Sequence, residues 1–442
     1  EAGSQNVSGG GNTLIGNVAY YNHTGGSSNV AIGSGSMQGD GTNKPSASSN
    51  NTSVGTKSMF YASGSQQNVA VGTAALAGAS NHVSNYNVAI GHKAASGTTG
   101  MDNSVIIGRE AALAVQDAQD TVGIGHHALY QLTTGDYNTV VGRSAGYDIT
   151  TESGNTLVGY FAGNNVTAGY TTAIGYQALG AGTGATYDVA IGFQAHYNGT
   201  ARGVFIGLQA GKATTGTGVY IGSEAGETST TSSLTLIGNE AGKLVSGTAT
   251  GMTAVGHGAS TSASGTYHTM LGFQAGYSTK GNINVGIGYM VLRSGTNATH
   301  QSNIAIGYQT MQGGDYSVTN QDNIAIGVNA LRYASGSSYN VVVGEALFAQ
   351  NQESTQVVAI GYRALSGATS TAATTAVGHL AARDLTTGDH NIAIGKSAML
   401  ANTTSNYSIA IGTEAMGTLD GAGNSTAIGY LSMYAHSGDN NV

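Results

Sequence analysis

Asn87-Val88-Ala89-Ile90-Gly91 is followed 17 residues later by Ser104-Val105-Ile106-Ile107-Gly108, and the same five-residue pattern returns along the whole chain. It reads Asn29-Val30-Ala31-Ile32-Gly33 near one end, Asn303-Ile304-Ala305-Ile306-Gly307 further on, and Asn391-Ile392-Ala393-Ile394-Gly395 near the other. Twenty-five glycines from Gly16 to Gly429 close such a motif, which leaves no room for a separate globular domain. With a constant short period, each repeat is one structural unit that buries its apolar face only by stacking on its neighbours. The expected fold is all-β: a parallel β-roll or β-solenoid of about 25 short coils, forming a single repeat array over residues 1–442.

Within one repeat, counted from the motif glycine as zero, position −1 is always Ile, Val or Leu and position −3 is always Val, Ile or Thr. These are strand formers two apart, so they share one face, and −2 and the glycine share the other. The second face is small: Ala31, Ala89, Ala305 and Ala393 stand at −2, and +3 is alanine in 19 repeats. Small residues there imply close approach of backbones. Left on the outside of a stack of coils, a continuous Ala/Gly stripe exceeds the few hundred Å² of apolar patch usual for a monomer. A homo-oligomer of parallel chains packed side by side is therefore expected, with two or three chains equally compatible with the spacing. Asn at −4 in about half the repeats suggests a ladder of side-chain amides running from coil to coil. Between motifs, runs such as Thr386-Thr387-Gly388-Asp389 carry turn chemistry, so each coil is expected to be strand, turn, short second extended segment, turn.

Composition narrows the partners. Only 8% of the 442 residues are charged, and 14 Lys and Arg scattered singly against a net charge of −8 offer no basic stripe for phosphates, so nucleic acid is not expected. There is no cysteine, hence no disulfide or thiol chemistry. The 71 glycines lack a Gly-X-Y period, and no apolar run reaches membrane-spanning length, so neither collagen nor membrane insertion is expected. The chain ends at Asn440-Asn441-Val442, where the pattern calls for Ala-Ile-Gly next, and is expected to be a segment of a longer polypeptide.

No catalytic, cofactor or metal site is expected. Carboxylates recur at +2 (Glu110, Glu224, Glu240, Glu414) and read as a solvated row beside Arg109, Lys212 and Lys243 rather than as a glycosidase pair. His126-His127 is the only adjacent histidine pair, and consecutive strand residues point to opposite faces, which argues against a shared metal. Tyrosines at +1, among them Tyr176, Tyr308 and Tyr362, read as packing groups. Longer steps place loops at 34–50, 293–302 and 312–322, with Asp40, Lys44, Pro45, His300 and Tyr316 as candidate surface contacts for a glycan or protein receptor.

Thr172-Ala173-Ile174-Gly175-Tyr176-Gln177-Ala178-Leu179, with Ile304-Ala305-Ile306-Gly307-Tyr308-Gln309 and Val358-Ala359-Ile360-Gly361-Tyr362-Arg363-Ala364-Leu365, resembles the Asn-Thr-Ala-Ile-Gly-Tyr-Gln-Ala-Leu repeats of bacteriophage tail fibres. It is also similar to the head repeats of trimeric autotransporter adhesins. The resemblance implies a trimeric parallel β-roll working as a non-enzymatic extracellular fibre. Such a fibre belongs to a virion tail or a bacterial surface, where it supports attachment to a host or cell. A surface adhesin head or purely structural filament is the alternative, and a solenoid polysaccharide hydrolase a more distant one.

Overall fold

A computed structural model of the chain describes all residues except 1, 4–7, 40–46, 79–81, 183–185, 246, 248, 295–298, 314–318, 346–353, 419–420, 422, 436–439 and 441–442. The β-branched residues at −3 and −1 form the ends of a strand of three to five residues in each repeat, and each strand lies parallel to that of the next coil. Val88–Ile90 pairs with Val105–Ile107, and that with Val122–Ile124, like position against like position. Further along, Val285–Tyr289 pairs with Ile304–Tyr308 and that with Ile324–Val328. The chain divides into two compact units, Glu1–Thr215 and Gly216–Val442. Each is a parallel β-solenoid built from the same repeat.

The second side of a coil differs from the extended segment that the turn residues suggested. Among the described residues it holds isolated parallel bridges, such as those linking Ser49, Gln66, Asn85 and Asp102, and one strand pair, Thr299–Gln301 with Thr319–Gln321. The remainder is tight turn, because among the described residues positions +2 and +4, and −5 in all coils but those with Arg202 and Thr217 there, take left-handed backbone even where they are not glycine. His127, Leu129 and Tyr137 have φ of 59°, 54° and 58°. That conformation costs roughly 1 kcal/mol or more for such residues. It is offset because it turns their N–H groups along the stack: His127 donates to the Arg109 carbonyl at 3.1 Å, Leu129 to Ala145 at 3.0 Å and Tyr137 to Gln119 at 3.1 Å. The ladder of the strands is thereby carried around the corner.

Which face is inside is the reverse of the expectation. Ala31, Ala89, Ala305 and Ala393 are fully buried, and the Val, Ile and Thr side chains at −3 and −1 point outward. The small side chains are small because the coil is narrow, with the strand at −2 facing the turn at +3 and +4 across it. The interior keeps its volume by trading between two positions. Ala31, Ala70 and Ala173 at −2 go with buried Met37, Leu76 and Leu179 at +4. In several coils where −2 is large, +4 is glycine: Leu157 with Gly163, Phe205 with Gly211, Tyr220 with Gly226, Leu236 with Gly242, Met270 with Gly276; Ile106 goes with the small Ala112, and Leu14 with Tyr20 is an exception. A Cβ on Gly211 would stand 2.2 Å from Phe205 Cδ1, and one on Gly226 2.3 Å from Tyr220 Cδ1. Close packing at crystal-like density requires this exchange.

The asparagine ladder is present as expected. Asn12 Oδ1 accepts from the backbone N–H of Asn29 at 2.9 Å and from its Nδ2 at 3.1 Å, and Asn29 serves Asn51 in the same way. Asn68 and Asn87 extend the run, and Asn284, Asn303, Asn323 and Asn340 make another in the second unit. Serine and threonine carry it on where asparagine is missing: Ser104 N–H donates to Asn87 Oδ1, and Ser104 Oγ accepts from Thr121 N–H. Each amide therefore satisfies a buried backbone donor at the strand entrance that would cost about 1–3 kcal/mol if left unpaired.

Candidate functional site

The outer strand face is the feature most suited to a partner. Its rows of Val, Ile and Thr come from consecutive coils in exact register through each unit's sheet. The large side chains of many coils are 36 to 39% exposed, among them Val69, Val71 and Ile90 in the first unit and Ile304, Ile326 and Ile394 in the second. No Lys, Arg, Asp or Glu stands at −3 or −1 in any repeat, so the face is flat, apolar and uncharged.

Beside it runs the +1 position, where aromatic rings stack along the coils. Tyr176 lies 5.1 Å from Tyr160 and 5.2 Å from Phe193, and Tyr289 lies 5.2 Å from Phe273 and 5.0 Å from Tyr308, all nearly parallel. At +2, Gln177, Gln194 and Gln209 are linked by amide hydrogen bonds of 2.9 Å. The ring spacing follows the strand spacing, so these rings pack on one another along the coils while staying partly exposed, Tyr176 at 45% and Tyr308 at 46%. A second tyrosine row went unnoticed in the sequence although its offset is fixed: Tyr86, Tyr137, Tyr170, Tyr187, Tyr267, Tyr339 and Tyr407 all stand at −5, 54 to 66% exposed.

Of the +2 carboxylates, Glu224 and Glu240 share one cation. Lys243 donates to Glu224 and Glu240 and approaches Glu227 at 3.9 Å, and its hydrogen bond to Glu224 raises the lysine's pKa. Glu110 is different. His127 Nε2 lies 2.8 Å from Glu110 Oε2, and that bond holds the carboxyl below its usual range. His126 and His127 do not point to opposite faces, because they follow the strand rather than lie in it. With φ of 59° at His127 the two rings stack at 3.8 Å.

Of the loop candidates, Asp40, Lys44, Pro45 and Tyr316 lie outside the described residues. His300 is a correction: expected as a surface contact, it sits on the strand Thr299–Gln301 and is fully buried, because its coil closes with a strand where a bulge was expected. The repeat asparagines Asn29, Asn87, Asn303 and Asn391 are buried ladder members, and Val30, Ile32, Val88, Ile90, Ile304, Ile306 and Ile394 face outward.

Three histidines inside the coils carry a pH dependence. Burial lowers His23, His196 and His300 from 6.5 to about 4. Folded chains hold them neutral, while unfolded chains protonate them near the ordinary value, so the unfolded state binds more protons between those limits. Stability from this source is whole above about pH 6.5 and is lost as pH falls toward about 4. Thermal melts followed by circular dichroism are expected to give a lower midpoint at pH 4.5 than at pH 7.5, with a shallower dependence in His300→Gln. Equal slopes in the two proteins would remove His300 from the account.

Among the described residues no helix is long and apolar enough to cross a membrane. A scan against protein-family models matched none, and a search of curated proteins found no match.

Proposed function

We propose that this chain is the shaft of a non-enzymatic extracellular fibre, assembled from three parallel copies of itself, that supports attachment to a host or cell surface in the manner of a phage tail fibre. The carrying observation is the outer strand face. Rows of Val and Ile that are partly exposed, more than a third in several coils, and uncharged and in register over consecutive coils, are the surface a second copy of the same repeat matches coil for coil. Parallel cyclic assembly keeps every coil at one level, and the number three comes from the resemblance of the repeat to tail-fibre and adhesin-head repeats. An outer surface of Ser, Thr, Asn and exposed −5 tyrosines suits contact with a glycan or protein receptor, since an aromatic ring offers an apolar face and a polar tip. The Lys243 cluster gives its glutamates a neutralising partner, which fits a surface role better than acid–base work.

Light scattering coupled to size exclusion tests the assembly. Three chains of 44.1 kDa each are expected in one species, and Ile304→Lys with Ile324→Lys is expected to shift the mass to that of one chain, because burying an unpaired ammonium in the interface is unfavourable. A wild-type chain that runs as a monomer at micromolar concentration would sink the trimeric shaft.

A further inference from the structure

We propose that Glu110, His126 and His127 form a binding site for a divalent transition-metal cation of the Zn²⁺ type. Among the described residues they are the one group of three metal-ligating side chains whose ligand atoms all lie within 4.8 Å of one another. The backbone sets this up. Glu110 and His127 occupy the same +2 position on successive coils, both in left-handed conformation with φ of 54° and 59°. Each is tied to the coil before it, Glu110 N–H to the His92 carbonyl at 2.9 Å and His127 N–H to that of Arg109 at 3.1 Å. The two side chains are thus stacked one coil apart and meet at 2.8 Å. The His126 ring at +1 folds over onto His127, 3.8 Å between centroids and 25° between planes.

The rings are also held in place. Tyr130 stands edge-on to His127 at 4.7 Å and Tyr147 at 5.9 Å, and the two tyrosines stack on each other at 4.8 Å. His127 is therefore walled by aromatic groups on a repeating scaffold, the kind of support that keeps ligands preorganised. His126 Nε2 is buried and has no hydrogen-bond partner in the protein. A buried imidazole nitrogen without a partner is costly, and a metal ion is one group that would satisfy it.

Two imidazoles and a carboxylate are a donor set for zinc-like ions, which leaves a further position for water or a fourth side chain. His92 Nδ1, 3.9 Å from Glu110 Oε1, is a protein candidate for that position. Zinc bonds of about 2.0–2.2 Å place tetrahedral ligand atoms roughly 3.4 Å apart, so separations of up to 4.8 Å must close by up to about 1.4 Å while the 2.8 Å contact between His127 and Glu110 opens by about 0.6 Å, both by side-chain rotation. Arg109 Nη2 approaches Glu110 at 3.8 Å and competes for the carboxylate, but its side chain is 66% exposed and free to turn into solvent. Elsewhere, the +1 histidine His379 stacks on Tyr362 at 5.2 Å and belongs to no such group among the described residues, so it serves as an internal control.

The test is a calorimetric titration of ZnCl₂ into the metal-free full chain at pH 7.5. One Zn²⁺ per chain is expected, with affinity falling at least about tenfold in His126→Gln, His127→Gln and Glu110→Gln, since even outer-shell partners are worth that much. His379→Gln is expected to bind as wild type. Saturating zinc is expected to raise the melting temperature of wild type and not of His127→Gln, because only an ion bound to the folded state stabilises it. Melts without zinc establish that each variant is folded, and Glu110→Gln, the change smallest in shape, keeps the question answerable if a histidine variant is not. Absence of zinc uptake by wild type, or equal uptake by folded Glu110→Gln and folded His126→Gln, overturns the proposal. The site is independent of the fibre reading, because a monomeric chain would still be tested by the same titration.

Discussion

Gly91→Ala is expected to destabilise the first unit by more than about 3 kcal/mol, whereas Gly10→Ala, in the same unit, is expected to stay within about 0.5 kcal/mol of wild type. Gly91 has φ of +137°, a conformation that L-residues rarely adopt, and a Cβ there would lie 2.4 Å from the Gly108 carbonyl oxygen and 2.7 Å from its carbon. Those atoms are backbone of the next coil and cannot rotate aside. Nothing lies within 4 Å of a Cβ on Gly10, and its φ is not in the left-handed range. The same contact repeats at Gly108 against Gly125 and at Gly125 against Gly142, so one alanine must push two coils apart and break the parallel ladder that flanks it. In a stack held by nearest neighbours the damage stays local at first. Hydrogen exchange is therefore expected to speed up around Val88–Ile90 and Val105–Ile107 before distant coils respond. Melting of Gly91→Ala together with wild type would show that the coils do not approach as closely as the glycine row requires.

That glycine row was legible in the sequence, and so were the strands, their register and the asparagine ladder, because each follows from a residue type recurring at a fixed offset. The inside and outside of the coil were not. Alternation assigns −1 and −3 to one face and −2 to the other, but both faces are apolar, so period alone cannot say which is covered. The deciding signal was a pair of positions read together: Ala173 with Leu179 in one coil and Leu157 with Gly163 in the coil before it. A volume conserved across two positions must be enclosed, and that places −2 inside. The turns hid a second fact. Left-handed backbone at His127 and Glu110 is not signalled by residue type, since these positions also carry Gln, Ala and Arg, so the convergence of two histidines on one carboxylate could not be read from strand alternation. His300 was misplaced for a related reason, as a lengthened step between motifs can close into a strand as well as open into a loop.

The paired core positions give the other large effect. Leu157→Ala is expected to cost about 2–5 kcal/mol by leaving a cavity between the strand and the turn. Gly163→Leu alone is also expected to be destabilising, because a Cβ there already meets Leu157 Cδ2 at 2.6 Å and Cδ1 at 2.8 Å. Made together, the two changes reproduce the arrangement of the next coil, where Ala173 faces Leu179 and both are fully buried. Backbone is no obstacle, since Gly163 has φ of 57° and Leu179 holds 50° in the equivalent place. The double variant is therefore expected to recover about 2–3 kcal/mol relative to the sum of the singles, a coupling at the upper end for residues in contact. Chemical denaturation of the four proteins measures it through the shift in midpoint at constant slope. Simple additivity would mean that −2 and +4 do not share one space, and the inward placement of the alanine face would fall with it. A positive coupling ties the interior to these two positions and leaves the Val and Ile rows on the outside of the coil, the face on which the proposed assembly rests.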